Sequence, residues 1–275
     1  MPTFSRRRKA KLQNLRRVEV AVIGGTGLEA LLENAEKIRL GTPYGLPPPI
    51  SIGQVEGKSV AFLPRHGIHH SLPPHKVNYR ANIHALHDIG VKRIIATNAV
   101  GAINLDFEPG DLVVPHDLID FTKLRRLTFY DETPVTHIDV SQPYCPEVRV
   151  ALIDSIKKSG GRGWDRGVLV CTEGPRYETP AEIEMFRLLG CDVVGMTGVP
   201  EAVLARELEM CYATLCFVSN MAAGIRKRLT TKEVVEIANE KRAVIQQILR
   251  GTIRYLPEER RCPCTQALKD ARFQG

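Results

Sequence analysis

The sequence is poor in aromatic residues, which make up 6% of its 275 residues and include a single tryptophan. Basic residues interleaved with stacking aromatics, the pattern of a nucleic-acid groove, are therefore missing. No stretch approaches the ~18 apolar residues of a membrane span, so no membrane partner is expected. The basic N-terminal residues are not followed by an apolar run. Residues 11–17 read Lys-Leu-Gln-Asn-Leu-Arg-Arg, which is no secretory signal. The expected location is cytoplasmic. Acidic residues are absent from residues 1–17, where Arg6, Arg7, Arg8, Lys9, Lys11, Arg16 and Arg17 stand. The net charge of +7, from 38 Lys+Arg against 31 Asp+Glu, thus belongs to this arm and leaves residues 18–275 formally neutral. A basic, nucleic-acid-binding body is excluded on that ground. Cys145, Cys171, Cys191, Cys211, Cys216, Cys262 and Cys264 show no C-x-x-C pairing and no zinc spacing. Most read as buried free thiols. Cys262-Pro263-Cys264 stands apart, near the end and among charged residues. It fits a strained disulfide or a redox pair, which would point to a disulfide-tolerant cytosol.

What is present is ordinary for a globular chain: 43% hydrophobic and 25% charged residues. The length suits one large α/β domain. Three segments are expected: a basic arm (1–17), a domain (18–256) and a tail with Cys-Pro-Cys (257–275). The apolar run 18–25 ends in glycines and reads as a buried strand. Residues 50–55 and 59–63 read as a hairpin around Glu56-Gly57-Lys58. Strands are predicted at 93–97, 112–114, 167–172, 192–196 and 212–219. Helices are predicted at 77–89, 146–158, 179–190, 200–210 and 230–255. Two of them open on capping boxes, Thr179-Pro180-Ala181-Glu182 and Thr230-Thr231-Lys232-Glu233. The alternation predicts an α/β fold with a mixed, largely parallel twisted sheet flanked by helices.

Ligands of such sheets collect at the carboxyl ends of strands. Six predicted strand ends carry small or polar residues. They are Gly24-Gly25-Thr26-Gly27, Arg65-His66-Gly67, Asn98-Ala99-Val100-Gly101, Glu173 to Glu178, Met196-Thr197-Gly198 and Ser219 to Gly224. The first offers backbone N–H groups and a hydroxyl to an anion, although a plain tight turn reads the same. The second sets an obligate cation beside an imidazole, which suits phosphate or carboxylate. His66, His69 and His70 have no Asp, Glu or Cys among them, and no metal site is expected. His84 and His87 read as helix-surface or packing residues.

Several motifs in order resemble the trimeric purine nucleoside phosphorylase family, and more narrowly its methylthioadenosine phosphorylase branch. They are Gly24-Gly25-Thr26-Gly27, Arg65-His66-Gly67, Lys76 to Asn82, Glu173 to Tyr177 and Met196 to Glu201. The resemblance runs from about residue 18 to 255. It implies a twisted mixed sheet, a homotrimer or a homohexamer built as a dimer of trimers, and no cofactor. Inorganic phosphate is the co-substrate, and a purine nucleoside gives free purine and a pentose 1-phosphate. It implies that Thr26, Arg65, His66, Asn98, Ala99 and Thr197 bind phosphate. Met196 would lie under the ribose and Tyr177 would stack on the purine. His137 would reach into the adjacent subunit's 5′ pocket. Arg65, His66 and Asn220 are the residues expected to act in catalysis.

The sequence also departs from that branch. Where the methylthioadenosine branch has aspartates, this chain has Asn220 and Ala222, and where the branch has a small serine it has Glu178. Glu with Asn is similar to the 6-oxopurine phosphorylases. The physics agrees: hypoxanthine and guanine carry a hydrogen on N1, which a carboxylate accepts, while Asn220 donates to O6 or N7. Adenine offers Glu178 no donor, a buried mismatch of about 1–3 kcal/mol. Against this, Glu178 turned outward would only help cap the next helix. Thr231 is placed near the 5′ position, where it suits a hydroxyl or a methylthio group. Inosine, guanosine and methylthioinosine all stay open as substrates. The alternatives are methylthioadenosine cleavage, nucleic-acid binding through the arm, and a redox role for the Cys-Pro-Cys segment.

Overall fold

A computed structural model describes residues 18–25, 27–226 and 230–273. The basic arm, Thr26, residues 227–229 and the last two residues lie outside the described residues. In chain order the strands are β1 (Val20–Gly24), β2 (Glu33–Ile38), β3 (Ile50–Val55), β4 (Lys58–Pro64), β5 (Arg93–Ala102), β6 (Leu112–Val113), β7 (Asp117–Phe121), β8 (Gly163–Trp164), β9 (Val168–Thr172), β10 (Val193–Gly195) and β11 (Cys211–Met221). The helices are α1 (Tyr79–Asp88), α2 (Pro146–Ser159), α3 (Pro180–Leu188), α4 (Val199–Glu207) and α5 (Thr231–Tyr255).

β1 is buried along its whole length, as a run of Val-Ala-Val-Ile requires of a strand covered on both faces. It lies parallel to β4 on one side and to β5 on the other. The predicted hairpin is present, with β3 antiparallel to β4. Glu56 (φ 52°) and Gly57 (φ 72°) turn the chain, both in the left-handed region that tight hairpins need. β2 adds an antiparallel edge. Beyond β5 the sheet continues through β10, β9 and β7, while β11, β6 and β8 branch off it. The sheet is mixed, as expected: β5 pairs parallel with β11 and antiparallel with β10.

The helices follow their caps. Asn78 accepts from the Ala81 amide at 3.1 Å to open α1. Both predicted capping boxes are formed, at Thr179 with Glu182 and at Thr230 with Glu233. α2 stops at Gly160, whose φ of 72° is open to glycine. α5 buries Ile245, Ile248, Leu249 and Ile253, and α2 buries Val148, Leu152 and Ile156 in the same core. Each such side chain contributes about 1.5–3 kcal/mol.

Two strands are longer than the sequence suggests, and this matters for the site. β5 runs to Ala102, so Asn98 to Gly101 lie within a strand rather than after one. The cause is pairing: β11 matches β5 from Cys211↔Arg93 to Met221↔Ala102. The register slips once, between Val218 and Asn220, so Ser219 is an extra residue in β11. Such a bulge re-aims side chains. No helix among the described residues is long and apolar enough to cross a membrane.

Candidate active site

A cavity of about 580 Å³ opens where β4, β5, β10 and β11 meet the first half of α5. That volume is typical of small-molecule sites. Arg65 and His66 follow β4 into it, and Thr97 and Ala99 face it from β5. Tyr177, Glu178, Met196, Thr197, Ser219, Asn220 and Ala222 form much of the remaining lining. Thr231, Val234 and Ala238 of α5 close one wall.

Arg65 is held from behind. Its Nε donates to Glu201 Oε1 at 2.5 Å and its Nη2 to Glu201 Oε2 at 2.8 Å. Nη1 donates to the Thr97 carbonyl at 2.8 Å. Glu201 is wholly buried and also accepts from the Tyr212 hydroxyl at 2.8 Å. Burial alone would lower the Arg65 pKa, but the Glu201 charge and hydrogen bonds outweigh it and hold the pKa above its ordinary value. Three of the five guanidinium N–H bonds are thus engaged, and two are left for a ligand. The charge of Arg65 is formally cancelled by its partner.

His66 adds no second positive charge beside Arg65. Burial first, then the neighbouring Arg65, push its pKa down to about 4, so it is neutral at pH 7. Nδ1 lies 2.9 Å from the Leu72 carbonyl, which can only accept, so Nδ1 carries the proton. Nε2 is then an acceptor, matched to a P–OH rather than to a bare oxyanion. The His66 ring stacks on His70 with centroids 4.3 Å apart.

On the other side sit the residues expected to read a base. Tyr177 is 37% exposed and lines the opening. Glu178 lines the cavity and accepts from the Thr172 hydroxyl at 2.6 Å. It does not cap α3; Glu182 does, with Arg176 and the Thr179 amide holding its pKa down to about 2. Asn220 Nδ2 donates to the Met221 carbonyl at 2.9 Å, and the Ser219 hydroxyl donates to Asn220 Oδ1 at 2.7 Å. Met196 is set against Gly174, where a Cβ would come 2.6 Å from its Sδ. Gly174 also has φ 62°, so glycine is required there twice over.

One expected residue, Asn98, has its side chain placed otherwise. The Asn98 side chain turns into the wall, donating to Thr214 Oγ1 and accepting from Thr197 Oγ1, each at 2.9 Å. His137 is exposed and is absent from the lining of this chain's own cavity. Thr26 lies outside the described residues, but Gly25 beside it lines the cavity. Sequence reasoning missed the roles of Glu201, Tyr212, Thr172 and Ser219. It also missed the α5 wall beyond Thr231, whose signal was the four-residue spacing of Val234 and Ala238 after the capping box.

The cysteines correct a further expectation. Cys145, Cys211, Cys262 and Cys264, scattered in sequence, converge so that their sulfur atoms all lie within 4.8 Å of one another. All four are buried free thiols, and Cys262 Sγ is 3.3 Å from Cys211 Sγ. The Cys-Pro-Cys segment is therefore anchored in the interior, and Cys262 and Cys264 are not joined as the strained disulfide considered above. The fold folds the tail back onto the start of β11.

Comparison with known proteins places the chain in a family. The chain is 54% identical over 257 residues to the probable S-methyl-5′-thioinosine phosphorylase of Methanothermobacter thermautotrophicus, covering 92% of this chain and 89% of that one. It is 52% identical over 261 residues to the 6-oxopurine nucleoside phosphorylase of Pyrococcus furiosus, covering 92% and 98%. Among solved structures it is similar to a methylthioadenosine phosphorylase from an antarctic soil metagenomic library. That match has a TM-score of 0.90 and 34% identity, and covers 94% of this chain and 93% of the other. The family model described as the phosphorylase superfamily matches residues 19–254, and the chain belongs to that family.

Proposed function

We propose that this protein cleaves 6-oxopurine nucleosides by phosphorolysis, giving the free purine and a ribose 1-phosphate, with 5′-methylthioinosine within its range. The observation that carries this reading is Glu178, a carboxylate facing the cavity beside Asn220 and Ala222. A 6-oxopurine presents a hydrogen on N1 to Glu178 and an acceptor edge to Asn220. A 6-aminopurine has no hydrogen on N1 to give Glu178, which disfavours it by about tenfold or more.

Cleavage of the glycosidic bond builds positive charge on the ribosyl ring and negative charge on the leaving purine. Phosphate held against the ring offsets the first, and a hydrogen bond from Asn220 at N7 offsets the second. Both effects grow toward the transition state, where binding accelerates chemistry. Arg65 supplies its two unengaged N–H groups to phosphate. His66 accepts the P–OH, Ala99 adds its backbone, and the Thr197 hydroxyl turns from Asn98 to the anion. Thr26 contributes from the glycine turn. Met196 supports the ribose and Tyr177 covers the base. Thr231 sits at the 5′ end of the nucleoside, and the apolar Val234 and Ala238 beyond it suit a methylthio group. Phosphate is the co-substrate and no cofactor is needed. His137 completes a neighbouring subunit's site in a trimer or a dimer of trimers, and the enzyme works in the cytoplasm.

The test is a phosphate-dependent assay with inosine, guanosine, adenosine, methylthioadenosine and methylthioinosine side by side. An oxopurine should be turned over fastest. Methylthioadenosine outpacing every oxopurine would sink the choice of base and make the chain a methylthioadenosine phosphorylase.

A further inference from the structure

Glu178 and Asn220 are each held by a hydroxyl that the reaction itself does not use. Thr172, the last residue of β9, is buried, and its Oγ1 lies 2.6 Å from Glu178 Oε1 and 3.4 Å from the Gly195 carbonyl. A hydroxyl has one proton, and the shorter contact, to a carboxylate, is the stronger. Thr172 is the hydrogen-bond donor found on the Glu178 side chain among the described residues. Its bond saturates one side of Oε1 and leaves Oε2 free.

Ser219 does the same for Asn220. The Met221 carbonyl can only accept, so the amide edge facing it must be the NH2 group. Oδ1 then faces Ser219, whose hydroxyl is 2.7 Å away and only 3.2 Å from its other acceptor, the Val100 carbonyl. This contact exists because Ser219 is the extra residue of the β11 bulge. In a regular strand, adjacent side chains point to opposite faces. Here Ser219 and Asn220 both border the cavity. The Met221 carbonyl sets which way the amide faces and the Ser219 hydroxyl restrains its Oδ1, so Asn220 keeps one N–H to donate.

We propose that Thr172 and Ser219 are the positioning residues that set base preference, by fixing Glu178 as an acceptor and Asn220 as a donor. That pairing matches the N1–H and the O6/N7 edge of a 6-oxopurine. A 6-aminopurine is mismatched at Glu178, because its N1 accepts, and at Asn220 wherever the N–H is directed at position 6, because N6 donates. The assignment rests on the oxopurine reading above. It adds that the preference resides in two hydroxyls behind the contact residues as much as in the contact residues themselves.

Thr172→Val removes the hydroxyl at nearly constant shape, and Ser219→Ala removes the other. We would measure kcat and KM for inosine and for adenosine, with phosphate KM and melting temperature alongside. Thr172→Val should lower kcat/KM for inosine about tenfold. Activity on adenosine should be held or raised, so the ratio of the two falls. Ser219→Ala should lower the ratio several-fold, and phosphate KM should stay within twofold in both. Thr172→Ser keeps the hydroxyl and should keep the wild-type ratio. An unchanged ratio in both folded variants, or equal losses on both bases, would overturn the role while leaving the function standing. An unmodified protein that prefers adenosine would overturn the base reading and this role together.

Discussion

Arg65 and Glu201 face each other as a two-point ion pair, at 2.5 and 2.8 Å, with almost no solvent reaching either side chain. The carboxylate aims the guanidinium and at the same time cancels its charge. On the proposed function, phosphate would be recognised through the direction of two N–H bonds more than through net positive potential. Glu201→Gln should raise the phosphate KM at least tenfold while the nucleoside KM changes little. It leaves the Arg65 charge buried without its counter-ion, so stability should fall by about 3–5 kcal/mol. Tyr212→Phe, which removes only the third hydrogen bond on Glu201, should lose about 1 kcal/mol. Steady-state kinetics at saturating nucleoside and urea denaturation would measure both.

Asn220→Asp replaces the donor with an acceptor. Oxopurine turnover should fall and 6-aminopurine turnover should improve, changing their ratio by at least tenfold. A constant ratio would show that Asn220 does not read the base.

His66 gives a pH signature. Its folded pKa of about 4 lies below the ordinary 6.5 of an unfolded histidine. The unfolded chain thus binds more protons between these values, and stability rises with pH through that window. The stabilisation from a neutral, buried imidazole is fully present above pH 6.5 and is lost as pH falls toward 4. Melting temperature should drop more steeply over that range in the wild type than in His66→Gln. A parallel pair of curves would remove His66 as the cause. Between pH 6 and 8, the phosphate KM should show no inflection from this residue.

Gly174→Ala strains a left-handed backbone position and drives a methyl group into Met196 Sδ. Because Met196 faces the cavity, the nucleoside KM should rise several-fold and stability should fall by about 1–3 kcal/mol. Kinetics and thermal melts on the purified variant would check this.

Much of this site was legible because strand ends, capping boxes and glycine turns carry local signals. Thr179 and Thr230 announced their helices through residues three positions away. Arg65, Met196 and Asn220 could be picked out because polar residues break apolar runs there. β2 was not legible: of Glu33–Ile38 only Ile38 is buried, so pairing with β3 defines the strand and no hydrophobic alternation does. Asn98 was misread because the strand end was set too early, and a side chain within a strand has a wall to turn into. Glu201 lies 136 positions from Arg65, and no spacing rule spans that distance. The meeting of Cys145 with Cys262 and Cys264 is likewise a product of tertiary contact.

The four converging thiols give the protein a built-in gauge of its own opening. Each is at most 5% exposed, and two of them sit on the final stretch of chain. A bulky thiol-labelling reagent added to the native enzyme can reach them only when that stretch lifts from β11. The rate of labelling, followed by mass spectrometry on the digested protein, therefore times the release of the C-terminal segment. Cys171 and Cys216, buried elsewhere in the sheet, time the opening of the body. If the tail peels first, Cys262 and Cys264 will be marked long before Cys171 and Cys216. If the molecule opens as one unit, all of them will be marked together.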